Sequence, residues 1–315
     1  MRRGTLAAIL SVPLLAAACA RARVPLSVHE TKTFPAAPGK LVRLDLRSLD
    51  VDVTVGTAAT ITAQVDIEAH SSSRTAAQRW MESHTPVFED SASTLDVRQQ
   101  PARSSIVIFG YINTNGRVRM ALPASVRLEI RTTSGDVTVA GDAALSGPVR
   151  IRTSSGSVTV TGGLDELIVK ATSGDVMVRR RALTALDADT TSGDVTLESG
   201  TQRAIIGTTS GDVRLEQLQG GLSVDTSSGE VAASWAALAA GASIRVHTSS
   251  GDVRLRVPAS SPLRGHITTR SGSIRSDLPG NSEHRERELT LSAPGPAAEV
   301  EIRTSSGDVS VHEHP

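Results

Sequence analysis

The sequence predicts an all-β protein: a parallel β-solenoid (β-helix-like) with Ser-Gly-Asp corner repeats and one short helix. Three observations predict it. A phrase close to Thr-Ser-Gly-Asp-Val occurs nine times, its glycines at Gly135, Gly156, Gly174, Gly193, Gly211, Gly229, Gly251, Gly272 and Gly307. Successive glycines lie 21, 18, 19, 18, 18, 22, 21 and 35 residues apart, a period at which one small unit stacks on the next. Between the phrases apolar and polar residues alternate, the period of a half-buried strand. Aromatic residues make up only 2% of the chain, so the core has to come from Val, Leu, Ile and Ala.

The N-terminus reads as an export signal. Arg2 and Arg3 precede a short apolar stretch, Leu6 to Ala18, well under the roughly 20 residues that span a bilayer as a helix. Two endings compete. Ala18-Cys19-Ala20 fits signal-peptidase cleavage, which would discard the cysteine. Leu15-Ala16-Ala17-Ala18-Cys19 fits a lenient lipoprotein box, with Ala16 where a strict box has an aliphatic residue. Lipidation of Cys19 is favoured, because the chain's single cysteine directly follows the apolar run. On either ending the protein is extracytoplasmic: lipid-anchored in the cell envelope, or secreted if Cys19 is removed. The mature body then has no disulfide, and packing and hydrogen bonds must hold it.

Residues 1–20 are thus the signal, and 21–40, polar with Pro25, Pro35 and Pro38, read as a tether. Residues 41–125 read as an N-terminal, degenerate β region. Leu44 and Leu46, then Val51, Val53 and Val55, and Ile61 to Ile67 alternate with polar residues. Ser48-Leu49-Asp50-Val51 resembles the later phrase with its glycine lost. Residues 71–84 break the alternation: Ala77, Trp80 and Met81 share a helical face, predicting a short helix that packs over the strands. Ile106/Ile108 continue the strands, and Asn115-Gly116 is a turn signal.

Residues 126–311 are the regular repeats, each with two short strands and a corner between them. Stacked units would lie about 4.8 Å apart. The wide gap before Gly307 reads as one further unit, around Leu289 and Leu291, whose corner has decayed. A clean final copy so near the chain's end implies that the N-terminal strands or a partner cover it.

The repeat corners Gly135, Asp136, Gly174, Asp175, Gly193, Asp194, Gly211, Asp212, Gly251, Asp252, Gly307 and Asp308 are the positions singled out. The glycine suits a backbone conformation with positive φ, and the Asp accepts backbone N–H groups at the turn. A stacked column of acids also admits a calcium-stabilised binding module, although Ser157 and Ser273 interrupt the column and Arg179, Arg214 and Arg254 lie near it. No metal site or cofactor is expected. His247 and His266, 19 residues apart, could stack on adjacent units, yet two histidines without a third ligand make no strong site.

Acidic and basic residues number 33 each, which argues against a nucleic-acid partner. The acids sit at the most regular positions rather than in a convergent cluster, so no enzyme is expected; the rival class is a polysaccharide-active β-helix enzyme. The favoured reading is a non-catalytic cell-envelope protein, an adhesin-like surface or scaffold module, whose partner is an unknown envelope protein or polymer. Through its repeated Thr-Thr-Ser-Gly-Asp-Val, the alternation between copies and the export signal, the chain resembles the bacterial DUF4097 family from about Leu41 to Val311. That resemblance implies a β-solenoid-like, extracytoplasmic, adhesin-like protein and carries over no active residues.

Overall fold

The computed structural model describes residues 24–71, 74–100, 112–259, 261–278, 282–285 and 287–314. Cys19, Ser72, Ser73, Ile106 and Ile108 lie outside them. The chain opens with β1 (Val24–Pro35), β2 (Leu41–Leu46), β3 (Asp50–Gly56) and β4 (Thr60–Ser71), then helix α1 (Arg74–His84). Next come β5 (Pro86–Asp90), β6 (Thr94–Gln99) and β7 (Ile112–Pro123). The repeats supply β8 (Arg127–Thr132), β9 (Val137–Gly141), β10 (Val149–Thr153), β11 (Val158–Val160) and β12 (Glu166–Ser173). Two long strands follow, β13 (Val176–Ser192) and β14 (Val195–Ser210). Then come β15 (Val213–Leu218), β16 (Gly221–Ser228), β17 (Val231–Trp235), β18 (Ser243–Ser250), β19 (Val253–Pro258), β20 (Leu263–Ser271) and β21 (Ile274–Ser276). The last four are β22 (Ser282–Arg285), β23 (Glu288–Ser292), β24 (Ala298–Ser306) and β25 (Val309–His314).

These strands form two rows. One runs β5-β6-β2-β8-β10-β12, through the C-terminal halves of β13 and β14, to β16-β18-β24-β20-β23-β22. The other runs β1-β4-β7-β3-β9-β11, through the N-terminal halves of β13 and β14, to β15-β17-β19-β25-β21. Because β13 and β14 belong to both rows, all 25 strands form one sheet that folds back on itself and comes close to closing into a barrel. The two rows share one core of small aliphatic side chains, such as Leu128, Val139, Val195 and Ile206.

The structure corrects the expected open, purely parallel solenoid: the sheet is mixed. β1–β4, β4–β7, β5–β6, β20–β23 and β22–β23 are antiparallel. Spatial order also departs from chain order. β24 lies between β18 and β20, and β25 between β19 and β21. The physical reason is that the repeated phrase governs only local corners, whereas the segments without it return along the sheet as antiparallel strands. Two further readings change with this. Residues 24–35, assigned to a tether, are strand β1, paired along its length with β4. The decayed unit near Leu289 is the hairpin β22–β23 laid against β20, and the final copy lies between β18/β19 and β20/β21 rather than against the N-terminal strands.

Helix α1 lies against β4 and β1. Ala77 and Met81 are buried, and Trp80 is half-buried with its ring stacked on His84, centroids 4.0 Å apart. Burial holds the His84 imidazole below its usual range. Trp235 is wholly buried and donates its Nε1–H to Gly220 O at 2.9 Å, which answers the cost of burying that polar group.

Candidate functional site: the corner column and its flanking faces

The corners line up. In register across the second row lie Val137, Val158, Val176, Val195, Val213, Val231, Val253, Val309 and Ile274. Just before each valine, neighbouring units are joined by main-chain bonds such as Val176 N–H to Asp194 O at 2.8 Å and Val195 N–H to Asp212 O at 2.9 Å. The Asp side chain adds a bond across the same step. Asp175 Oδ1 accepts the N–H of Asp194 at 3.0 Å, Asp194 that of Asp212 at 2.8 Å, and Asp212 that of Glu230 at 2.8 Å. Asp136 takes the N–H of Ser157, Asp252 that of Asp308, and Asp308 that of Ser273. Asp50 takes the N–H of Asp136, so the segment with the lost glycine holds the first place in the column. The carboxylate therefore reaches across to the next unit's amide. Sequence reasoning had confined that bond to the Asp's own turn, because a neighbouring unit is not visible in a local phrase.

The glycine has two reasons to be there. Gly193 has φ of 151°, and a Cβ on it would sit 2.3 Å from Gly174 O. Gly135 lacks positive φ, and its N–H bonds to Thr132 Oγ1 at 3.0 Å, yet a Cβ there would sit 2.0 Å from Leu49 O. Close approach of adjacent backbones is thus the cause common to both, and positive φ is an addition at some corners.

Charges flank the column. Arg254 binds Glu230 and lies 3.5 Å from Asp252; the bond to Glu230 raises the Arg254 pKa above its ordinary value. Arg275 lies 3.7 Å from Asp308. The Ser273 N–H, foremost, holds the Asp308 carboxyl below its usual range. Between Arg214 and Arg254 the small Ala232 leaves a notch of about 320 Å³, bordered by Glu216 and Arg256. On the first row a groove of about 740 Å³ is lined by polar side chains, among them Asp225, Thr226, His247, Thr268, Arg270 and Arg303. Here His247 faces Asp225 on one side, 3.5 Å between Nδ1 and Oδ1, and Arg303 on the other. His247 and His266 do not stack on adjacent units: β24 lies between them and His266 is level with Glu301. Among the described residues no three His, Cys, Asp or Glu side chains converge as metal ligands.

Such a surface can form hydrogen bonds and ion pairs along an extended face. Fold and surface together define a repeat-built β protein with an ordered corner column. More narrowly, the chain belongs to the toastrack DUF4097 family, whose model matches residues 42–312. Several solved structures are similar to it. A candidate adhesin from Bacteroides fragilis NCTC 9343 is 10% identical, with a TM-score of 0.42, and the match covers 91% of this chain and 97% of that one. A candidate adhesin from Parabacteroides distasonis ATCC 8503 is 13% identical, with the same coverage and a TM-score of 0.42. A candidate lipid-binding protein from that organism is also 13% identical, covering 91% of this chain and 97% of its own, with a TM-score of 0.35. No curated protein matches the chain.

Proposed function

We propose that this protein is a non-catalytic, adhesin-like module of the bacterial cell envelope, held there by a lipid on Cys19 and presenting its charged rows to an envelope protein or polymer. The observation that supports this reading is the corner column. Each of its aspartates is engaged with the amide of the next unit, so the acids brace the repeat instead of converging on a reacting atom. A braced sheet holds its side chains at fixed spacing, which suits contact with an extended partner. The test joins a binding measurement to a turnover screen: the full chain against envelope polymers and glycans, with release of cleaved product followed in parallel. Saturable binding without turnover is the expected result. Bond cleavage abolished by changing one or two of the column acids would replace this reading with an enzyme. Anchoring is tested by fractionating cells that carry Cys19→Ala. The variant should leave the membrane fraction; a variant retained as fully as the unsubstituted chain makes the anchor wrong.

A further inference from the structure

Strand β1 ends the second row. Among the described residues its main chain pairs only with β4, from Val24 opposite Ser71 to Pro35 opposite Thr60. Its other edge is a row of backbone donors and acceptors along 12 residues. Natural sheets keep exposed edges short, bulged or interrupted by proline, because a long one templates another strand. In β1 the prolines, Pro25 and Pro35, stand only near the ends.

The side chains of β1 carry a pattern of their own. Leu26, Val28, Glu30, Lys32 and Phe34, followed by Ala36, are half-buried on one face, while Ser27, His29, Thr31 and Thr33 are exposed on the other. The half-buried series is self-complementary about Thr31. If β1 lies antiparallel to β1 of a second copy, with Thr31 on the two-fold axis, Glu30 of each copy faces Lys32 of the other. Val28 then faces Phe34, and Leu26 faces Ala36. Moving the axis to Glu30 or to Lys32 sets that charge against itself, which is unfavourable in a directly opposed pair. Within one copy Lys32 already lies 2.9 Å from Glu30 and 4.6 Å from the centre of the Phe88 ring. The second copy would close this into a ring of four alternating charges.

We propose that β1 is a self-pairing edge and that the protein forms two-fold dimers in which the second rows of two copies join as one continuous sheet. The interface is isologous, so every favourable pair occurs twice. This inference is independent of the adhesion reading.

The test uses the full chain, expressed with its own leader and purified in mild detergent. Opposed residues of an antiparallel pair have Cα atoms about 4.5–5.5 Å apart, within disulfide reach. Thr31→Cys should therefore give a covalent dimer on mild oxidation. Thr33→Cys should not exceed the unsubstituted chain, since two copies of residue 33 would be about 13 Å apart along the strands. In sedimentation, Glu30→Lys and Lys32→Glu should each weaken self-association by about tenfold. Mixing the two variants, or combining both changes in one chain, should restore it. A chain that stays monomeric at every concentration, equal cross-linking at positions 31 and 33, or a dimer indifferent to either charge reversal would each overturn the proposal.

Discussion

Replacing Gly193 by Ala separates the two reasons for a corner glycine. The new Cβ would lie 2.3 Å from Gly174 O, against the 3.0 Å below which real Cβ contacts essentially do not occur. The two backbones would have to part by at least about 0.7 Å. That movement strains three bonds across the same step: Gly174 N–H to Ser192 O at 3.2 Å, Val176 N–H to Asp194 O at 2.8 Å, and Asp194 N–H to Asp175 Oδ1 at 3.0 Å. Each contributes about 0.5–1.5 kcal/mol net, the lower figure where water can replace it. A left-handed backbone costs a non-glycine residue about 1 kcal/mol more. The expected loss is about 2–4 kcal/mol. Two other glycines isolate the causes. Gly147 has φ of 87°, but no atom lies within 4 Å of the place a methyl group would take, so Gly147→Ala should cost only about 1 kcal/mol. Gly56 has neither constraint, and Gly56→Ala should be neutral or stabilise by up to about 1 kcal/mol. Urea unfolding followed by far-UV circular dichroism reads all three. If Gly193→Ala costs no more than Gly147→Ala, backbone approach is not what selects glycine at these corners.

Two further outcomes follow from buried and charged groups. A hydrogen bond from His29, foremost, and then the Arg119 charge keep Asp66 ionised below its ordinary range. Stability from a depressed carboxylate is present above its unfolded pKa and lost as pH falls through the lower folded one. The urea midpoint should therefore drop on acidification below about pH 4, and drop less steeply in Asp66→Asn; equal slopes would remove Asp66 from the account. Trp235→Phe should cost about 1–3 kcal/mol, because it orphans Gly220 O and opens a small void, and Trp235→Ala about 3–5 kcal/mol, both measurable in the same unfolding experiment.

What the sequence made legible is what a local phrase can encode. The strands flanking each corner, the inward valines and the need for glycine all follow from a few residues read together. The partner of each Asp was not legible, because the donor it accepts from sits one unit away, 18 or 19 residues on for Asp194 and Asp175. Strand β1 was hidden by its prolines and charges, although Leu26, Val28 and Phe34 already carried the period of two that marks a strand. The separation of His247 from His266 could not be read either, since it depends on which strand enters between them. Mixed pairing escaped for the same reason: antiparallel return is decided by contacts far apart in the chain, and no corner phrase marks it.

The 35-residue gap before Gly307 was the one visible sign of that non-local order. Its consequence is that the last strands in the chain are interior to the sheet. β24 and β25 bridge β18 and β19 to β20 and β21, and His314 Nε2 lies 2.7 Å from Trp235 O. In a simple stack, losing the final unit would only expose a fresh end. Here a chain ending at Gly295 would leave two sets of strands facing a gap. Besides the smaller Ala298 and Thr304, four buried branched aliphatic side chains would go with it, Val300, Ile302, Val309 and Val311. At about 1.5–3 kcal/mol each these four represent roughly 6–12 kcal/mol, comparable with the whole margin of a folded domain, about 5–15 kcal/mol. The truncated chain should lose cooperative unfolding and accumulate as insoluble material. A soluble truncated protein that unfolds at the full chain's urea midpoint would show that β20 and β21 can close directly onto β18 and β19, so that the final unit is an addition to the sheet and not its keystone.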